Sequence, residues 1–299
     1  MSLADSSVRS KFYQGLCLGV SVHKAWPVFL TSSTVRKRSA QSLVLNGGIF
    51  LASIYLVETC LFPLFRNVVD SSPFWLAYFL NMVMGILYYG CWLLPLYVIQ
   101  LVMNMNAVTE VAKDTLFTVL RVPSNTNANL SSVISDVLFE TVFVTACMIF
   151  AGVIDIGITL APYTSDIFWL CYPCSIIYWT WIYAFCAFNT KWKLQGVGIL
   201  RRINAIQSNA AFYCGFGTPL TLLTYFYPNF FVNAVIYALL YPWFVIIACA
   251  SNNGDTDPSL NPMLAVEYDP TMQFPVFKIP YTIASRLLSC GPNKPKSSK

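Results

Sequence analysis

The chain has 299 residues, of which 57% are hydrophobic and 10% charged, with a net charge of +5. Soluble domains carry about 25% charged residues, so there is too little polar surface here to coat a water-soluble core of this size. That excludes a soluble globular enzyme, and the apolar residues are concentrated rather than scattered: no Asp, Glu, Lys or Arg stands between Asp70 and Glu110, between Asp166 and Lys191, or within 203–254.

A helix needs about 20 predominantly apolar residues to cross the hydrocarbon of a bilayer, so these runs predict spans. The expected fold is an all-α integral membrane protein with four full transmembrane helices, a C-terminal re-entrant (half-membrane) helical hairpin and amphipathic surface helices. Residues 1–42 form the N-terminal amphipathic segment, in which Phe12, Leu16 and Val20 recur every four residues. No cleavable signal peptide is expected, because His23, Lys24 and Pro27 follow the short apolar stretch without a small-residue cleavage site.

The first span is expected at 43–65, after Arg36-Lys37-Arg38, and the second at 74–103, after Pro73. Thirty residues at about 1.5 Å each overrun a core about 30 Å thick, and Pro95 marks the natural kink. Pro123 and the polar run Ser124–Asn129 then form a loop. The third and fourth spans are expected at 137–160 and 167–189.

The uncharged run that follows is harder to divide. Ile203–Phe212 is polar enough to lie at the surface, while 215–250 is too long for one span and too short for two with a loop. Tyr227-Pro228-Asn229 is a turn signal. Two short helices, Pro219–Phe226 and Phe231–Ala250, are therefore expected to enter the membrane and return. Short cytosolic loops collect Lys and Arg. With a returning hairpin and a cytosolic N-terminus, 17 of the 18 basic residues fall on the cytosolic side, leaving Arg66 alone opposite. A single crossing would divide them 12 to 6, so the hairpin is preferred. Both termini are then cytosolic. The tail 251–299 is irregular except for an amphipathic stretch at 274–288, which is expected to lie on the membrane surface.

Acids inside a membrane are costly and are candidate functional groups. Glu58, in the first span, is the most deeply placed. Asp136 and Glu140 share one helix face at a spacing of four; they form either a cation or proton site or an acidic first turn that complements the helix dipole. Asp155 is expected at the opposite interface. Ile199, Ile203, Ile206 and Ala210 form a helical stripe, with Arg201 and Arg202 elsewhere on the wheel. Enzyme templates fail: there is one histidine, no nucleophile elbow and no phosphate-binding lysine motif. Cys171-Tyr-Pro-Cys174 has no second pair, so it reads as membrane packing. No cofactor, metal or nucleic-acid partner is expected; the partner read from composition is the lipid bilayer.

Several stretches together resemble the etoposide-induced ER membrane protein family, which includes an ectopic-granule autophagy protein of the worm. They are Leu45-Asn46-Gly47-Gly48-Ile49-Phe50, Trp92-Leu93-Leu94-Pro95-Leu96, Ser132–Phe139, Lys191-Trp192, Tyr213-Cys214-Gly215-Phe216-Gly217-Thr218-Pro219-Leu220 and Leu240-Tyr241-Pro242-Trp243-Phe244. Order and spacing agree over about 43–251, and 274–288 resembles the family's terminal amphipathic helix. The resemblance implies a non-catalytic endoplasmic reticulum protein acting in autophagosome or autolysosome maturation, with links to growth suppression and apoptosis, and with partners in the autophagy machinery; a homo-oligomer stays open. It marks Asn46, Gly47, Gly48, Pro95, Gly215, Phe216, Gly217 and Pro219 as motif residues. The family is similar to bacterial CysZ-type sulfate permeases, whose fold mixes long spans with half-membrane hairpins. An alternative is therefore an anion permease whose short-helix N-termini near Gly215–Pro219 face the anion. Two departures from the family stand out: the Arg-rich stretch before the first span is short, and Glu140 replaces an expected neutral polar residue.

Overall fold

The computed structural model describes residues 3–120, 130–160, 165–226, 230–251 and 276–288. The loop at 124–129, the turn Tyr227-Pro228-Asn229 and most of the expected irregular tail lie outside the described residues. Among those described, every regular element is helical.

Helix α1 (Leu3–Gly19) and α2 (Val22–Thr31) are followed by one continuous helical path, α3, from 33 to 70. It begins at Ser32, whose hydroxyl accepts the Val35 N–H at 3.1 Å. Two stretches of α3, Val44–Leu51 and Val57–Leu61, are wound as π-helix. The second path, α4, runs from 74 to 120, again with π-helical winding at Ile86–Leu93. The second and third of these wide turns end two residues before a proline, Pro63 and Pro95. A proline ring collides with the carbonyl four residues back, and the wider winding just upstream relieves that collision. The predicted kink at Pro95 is thus a stretch of altered winding.

The long helices α5 (Leu130–Leu160) and α6 (Asp166–Leu194) follow. Among the described residues, three stretches are long and apolar enough to cross a membrane: Phe74–Trp92, Ser135–Leu160 and Phe168–Leu194. The expected first span, 43–65, lies in α3 but is interrupted by the two π-helical stretches and is not among the three. Side chains that would stand in water on a soluble protein are apolar here: Trp75, Leu160 and Trp169 are exposed by 70%, 79% and 69%, as lipid-facing residues are.

Short α7 (Ile199–Ser208), α8 (Ala210–Tyr225), α9 (Phe230–Ala250) and α10 (Lys278–Leu288) complete the fold. Helix α6 is the centre, with α5, α8 and α9 packed around it. One large core joins Phe143, Phe185, Phe188, Phe216 and Val245 from these four helices. A second, small cluster of Ile54, Val57, Tyr88 and Val235 attaches α3 and α4 to α9.

The hairpin of α8 and α9 differs from expectation in extent. Its first helix starts at Ala210, after a break at Asn209 (φ −127°, ψ 41°), and Pro219 lies inside it. It also reaches far along α6. Phe188 packs on Tyr213 near its start, and Tyr225 packs on Tyr172 at its end. Helix α9 returns along the same path, with Tyr237 stacked on Tyr183 and the Tyr241 hydroxyl donating to the Cys186 carbonyl at 2.9 Å.

Two expected surface helices have specific partners. In α1 the buried face is Gly15, Leu18 and Gly19, whereas Val20 is exposed and Phe12 and Leu16 only half-buried. Of the stripe of large apolar residues, Phe12 and Leu16 reach α8 through their backbone, and Val20 points away. In α10, Phe277, Pro280 and Ala284 face inward, and the Phe277 ring packs against Phe143, Tyr178 and Phe185. Ile279, Ile283 and Leu287 are left exposed on its other side.

Candidate functional site

The densest polar arrangement lies where α5, α6 and α7 meet at the basic end of the bundle. Helix α6 ends in a glycine cap: Gly196 takes a left-handed φ of 76°, its N–H donates to the Lys193 carbonyl, and the Val197 N–H donates to the Trp192 carbonyl. This reversal turns the Val197 carbonyl toward α7, where it accepts from Arg202 Nε at 2.6 Å. Arg202 Nη1 donates to Asn189 Oδ1 at 2.8 Å and stands 3.6 Å from Glu140 Oε2. The Glu140 carboxylate also accepts from Asn189 Nδ2 at 2.7 Å and from Lys193 Nζ at 3.0 Å.

Arg202 is buried to 2% exposure. Burial pushes its guanidinium below the ordinary arginine range, while Glu140 and then Asp136 push it back up. Beside it, buried Lys191 donates to the Ser251 carbonyl at 3.1 Å, just past the last turn of α9, where a cation complements the helix dipole. The arrangement holds four helices in fixed relation. Glu140 is shared by Arg202 and Lys193, while Lys191 is met by a backbone carbonyl, so the arrangement ties helices together as a structural joint does.

The second feature is the glycine pair of the Gly215-Phe216-Gly217 motif. A Cβ on Gly215 would overlap the Phe12 carbonyl of α1, and one on Gly217 the Thr180 carbonyl of α6. On α1, a Cβ on Gly15 would overlap the Phe212 carbonyl, and one on Gly19 would lie 2.6 Å from the Phe216 carbonyl. Helix α8 is therefore pressed backbone to backbone between α1 and α6, as small-residue motifs permit in membranes. This does not favour an anion site near Gly215–Pro219. Those residues stand in the middle of α8, Gly215, Phe216 and Gly217 are buried between neighbours, and no helix begins there to present free N–H groups.

At the far end, Asp155 of α5 accepts hydrogen bonds from Ser175, from Trp179 Nε1 at 3.0 Å and from Tyr225 of α8 at 3.3 Å. A lone carboxylate thus ties α5, α6 and the hairpin together.

The expected site residues scatter. Glu140 enters the joint; Asp136, on the same face, is exposed and acts on Arg202 only through its charge. Gly48 and Pro95 are exposed. The side chains of Asn46, Gly47 and Glu58 lie outside the described residues. Arg202 is a correction: it belongs to the buried side of the Ile199–Ile206 stripe, because Glu140 of a neighbouring helix receives it there. Sequence reading missed Asn189 and Lys193 as partners of Glu140, the Gly15 and Gly19 pair on α1, and Phe277. The spacing of Gly15 and Gly19 was the available signal for the pair. Among the described residues no three His, Cys, Asp or Glu side chains gather as metal ligands.

Comparison with known proteins finds relatives along most of the chain. The chain is 26% identical over 264 residues to "Protein EI24 homolog" of Dictyostelium discoideum, covering 87% of this chain and 77% of that one. It is 25% identical over 281 residues to "Protein EI24 homolog" of Arabidopsis thaliana, covering 82% and 86%. A shorter stretch of 71 residues is 39% identical to "Ectopic P granules protein 4" of Caenorhabditis elegans, covering 24% of this chain and 22% of that one. Along most of its length the chain is similar to EI24 homologs, in keeping with the resemblance its ordered motifs carry. No family model and no solved structure matches the chain, so the joint at Glu140 and the glycine packing of α8 rest on its own geometry.

Proposed function

We propose that this chain acts as its EI24-homolog relatives suggest: a multi-pass protein of the endoplasmic reticulum membrane that acts, without catalysis, in autophagosome or autolysosome maturation, with a further link to growth suppression and apoptosis. The observation that carries the reading is the similarity to EI24 homologs along most of the chain, joined to the worm relative named for ectopic P granules. In the proposed topology both termini are cytosolic, the spans lie near 43–65, 74–103, 137–160 and 167–189, and the segment 215–250 enters and returns. The distribution of basic residues supports that sidedness. The joint around Glu140 and Arg202 would then sit at the cytosolic interface, where it keeps the hairpin, α7 and the long spans in one arrangement for a partner of the autophagy machinery.

The experiment is deletion of the gene and measurement of autophagic cargo clearance, with rescue by the wild-type chain. Cargo should accumulate in the deletion and clear on rescue. Normal clearance in the deletion would end the proposal.

A further inference from the structure

Two elements run alongside the bundle and stop half-way down it. Helix α1 lies parallel to α8: Lys11 Nζ reaches Asn209 Oδ1 at 3.2 Å at the start of α8, and Gly19 reaches Phe216 and Pro219 in its middle. There α8 abuts Thr180 through Gly217. Thr180 is near the centre of the apolar stretch Phe168–Leu194, about 18 Å from one end and about 21 Å from the other at the helical rise. After a turn at Val20 and Ser21, α2 returns toward the basic end, where Trp26 and Phe29 stack on Trp243.

Helix α10 behaves likewise. Its first ring, Phe277, packs on Tyr178, two residues from Thr180, and the helix climbs from there along α5 to Tyr281 against Phe139, beside Glu140. Among the described residues, both elements lie along the half of the bundle toward the basic end, and Gly19 and Phe277 stand at a similar depth. Outward they present Val20, Val22, Ile279, Ile283 and Leu287, all exposed. Lys24 and Lys278, one turn or less from the deepest described residues, are exposed as well, and their stems lift the ammonium groups part of the way toward the headgroups.

We propose that α1–α2 and α10 are inserted in one leaflet only, the one at the basic end, so that the membrane domain is a wedge whose ligand is a convexly curved phospholipid leaflet. Extra helices in one half of the bilayer expand that half, and insertion confined to one leaflet makes membrane binding sensitive to curvature. The inference rests on the membrane reading of the chain, and the following test separates the two. The full chain is reconstituted into vesicles of phosphatidylcholine, phosphatidylethanolamine and phosphatidylserine spanning diameters from about 50 to about 400 nm, and protein per lipid area is read vesicle by vesicle; enrichment of roughly threefold on the smallest is expected from curvature-sensitive insertion. Phe277→Ala, which undocks α10, should lower that enrichment. Independently of that variant's folding, a fluorescent amino acid introduced at position 20 should be quenched most by phospholipids brominated deep in the acyl chain, and one at position 11 by shallow bromines. Equal density on all diameters, or shallow quenching at position 20, overturns the wedge while leaving the membrane reading intact. Failure of the chain to float with vesicles at all overturns both.

Discussion

The Arg202 guanidinium stands 3.6 Å from the Glu140 carboxylate although the two side chains come from helices separated by the whole of α6. Neither sits there alone. Asn189 bridges them by donating to one and accepting from the other, and the Val197 carbonyl, turned by the Gly196 cap, takes Arg202 Nε. A buried guanidinium is tolerated only when its N–H groups are met and its charge is opposed, and α5, α6 and the loop after α6 each supply part of that.

Removing one partner of a buried pair costs about 3–5 kcal/mol, whereas replacing both by apolar residues of similar volume is far milder. Glu140→Gln should therefore lower the thermal unfolding midpoint of the detergent-solubilised protein strongly, and the double variant Glu140→Gln with Arg202→Met should recover part of the loss. The check is a double-mutant cycle on unfolding midpoints. A loss in the double variant equal to the sum of the losses in Glu140→Gln and Arg202→Met alone would show that the two side chains are not coupled.

How much of this was readable beforehand follows from the physics of each signal. The long uncharged runs are set by the cost of charge in hydrocarbon, a property of composition, so α5 and α6 were visible in the sequence. So was the stripe Ile199, Ile203 and Ile206, because burial imposes the helical period. Arg202 was misplaced because its burial depends on Glu140 and Asn189, which only the folded chain brings near. The start of α8 was misplaced because Pro219 was read as a helix opener, whereas neighbouring helices hold it within one. On α1 the large apolar residues mark the period, but the close approach to α8 is set by Gly15 and Gly19, which a count of large apolar side chains does not reveal.

The glycine contacts make a sharp contrast. A Cβ at Gly217 has no room without moving Thr180 backbone, whereas one at Gly85 meets nothing within 4 Å. Overpacking costs typically about 1–3 kcal/mol, while alanine for glycine in an open helix gains about 0.5–1 kcal/mol. Gly217→Ala should destabilise the solubilised protein and Gly85→Ala should leave it unchanged or slightly more stable, as read by the fraction remaining monodisperse after heating. The reverse order would remove α8 from its place between α1 and α6.

Asp155 gives a third case. With Ala there, Ser175, Trp179 and Tyr225 lose their shared acceptor, and a buried donor left unmet costs about 1–3 kcal/mol. Asp155→Ala should loosen the end of α8 more than Asp155→Asn, which keeps one acceptor oxygen. Hydrogen exchange of the backbone amides in 220–226 is the check: faster exchange is expected in the alanine variant, and unchanged exchange would detach Asp155 from the hairpin.

The depth of the hairpin leads to the last prediction. Tyr225 packs on Tyr172 and donates to Asp155, and Tyr172 is only four residues into the apolar stretch that begins at Phe168. That stretch has 27 residues, which at about 1.5 Å each exceeds a hydrocarbon core about 30 Å thick, so Tyr172 stands close to the far interface and the exposed Phe226 beside its neighbour stands there too. In a cysteine-depleted chain inserted into sealed microsomes, Phe226→Cys should be inaccessible to a membrane-impermeant maleimide until the membrane is permeabilised, and should then react. Ser297→Cys, in the tail, should react without permeabilisation. A hairpin that stopped half-way would leave position 226 in hydrocarbon and unreactive under both conditions, and a tail labelled only after permeabilisation would place the two termini on opposite sides.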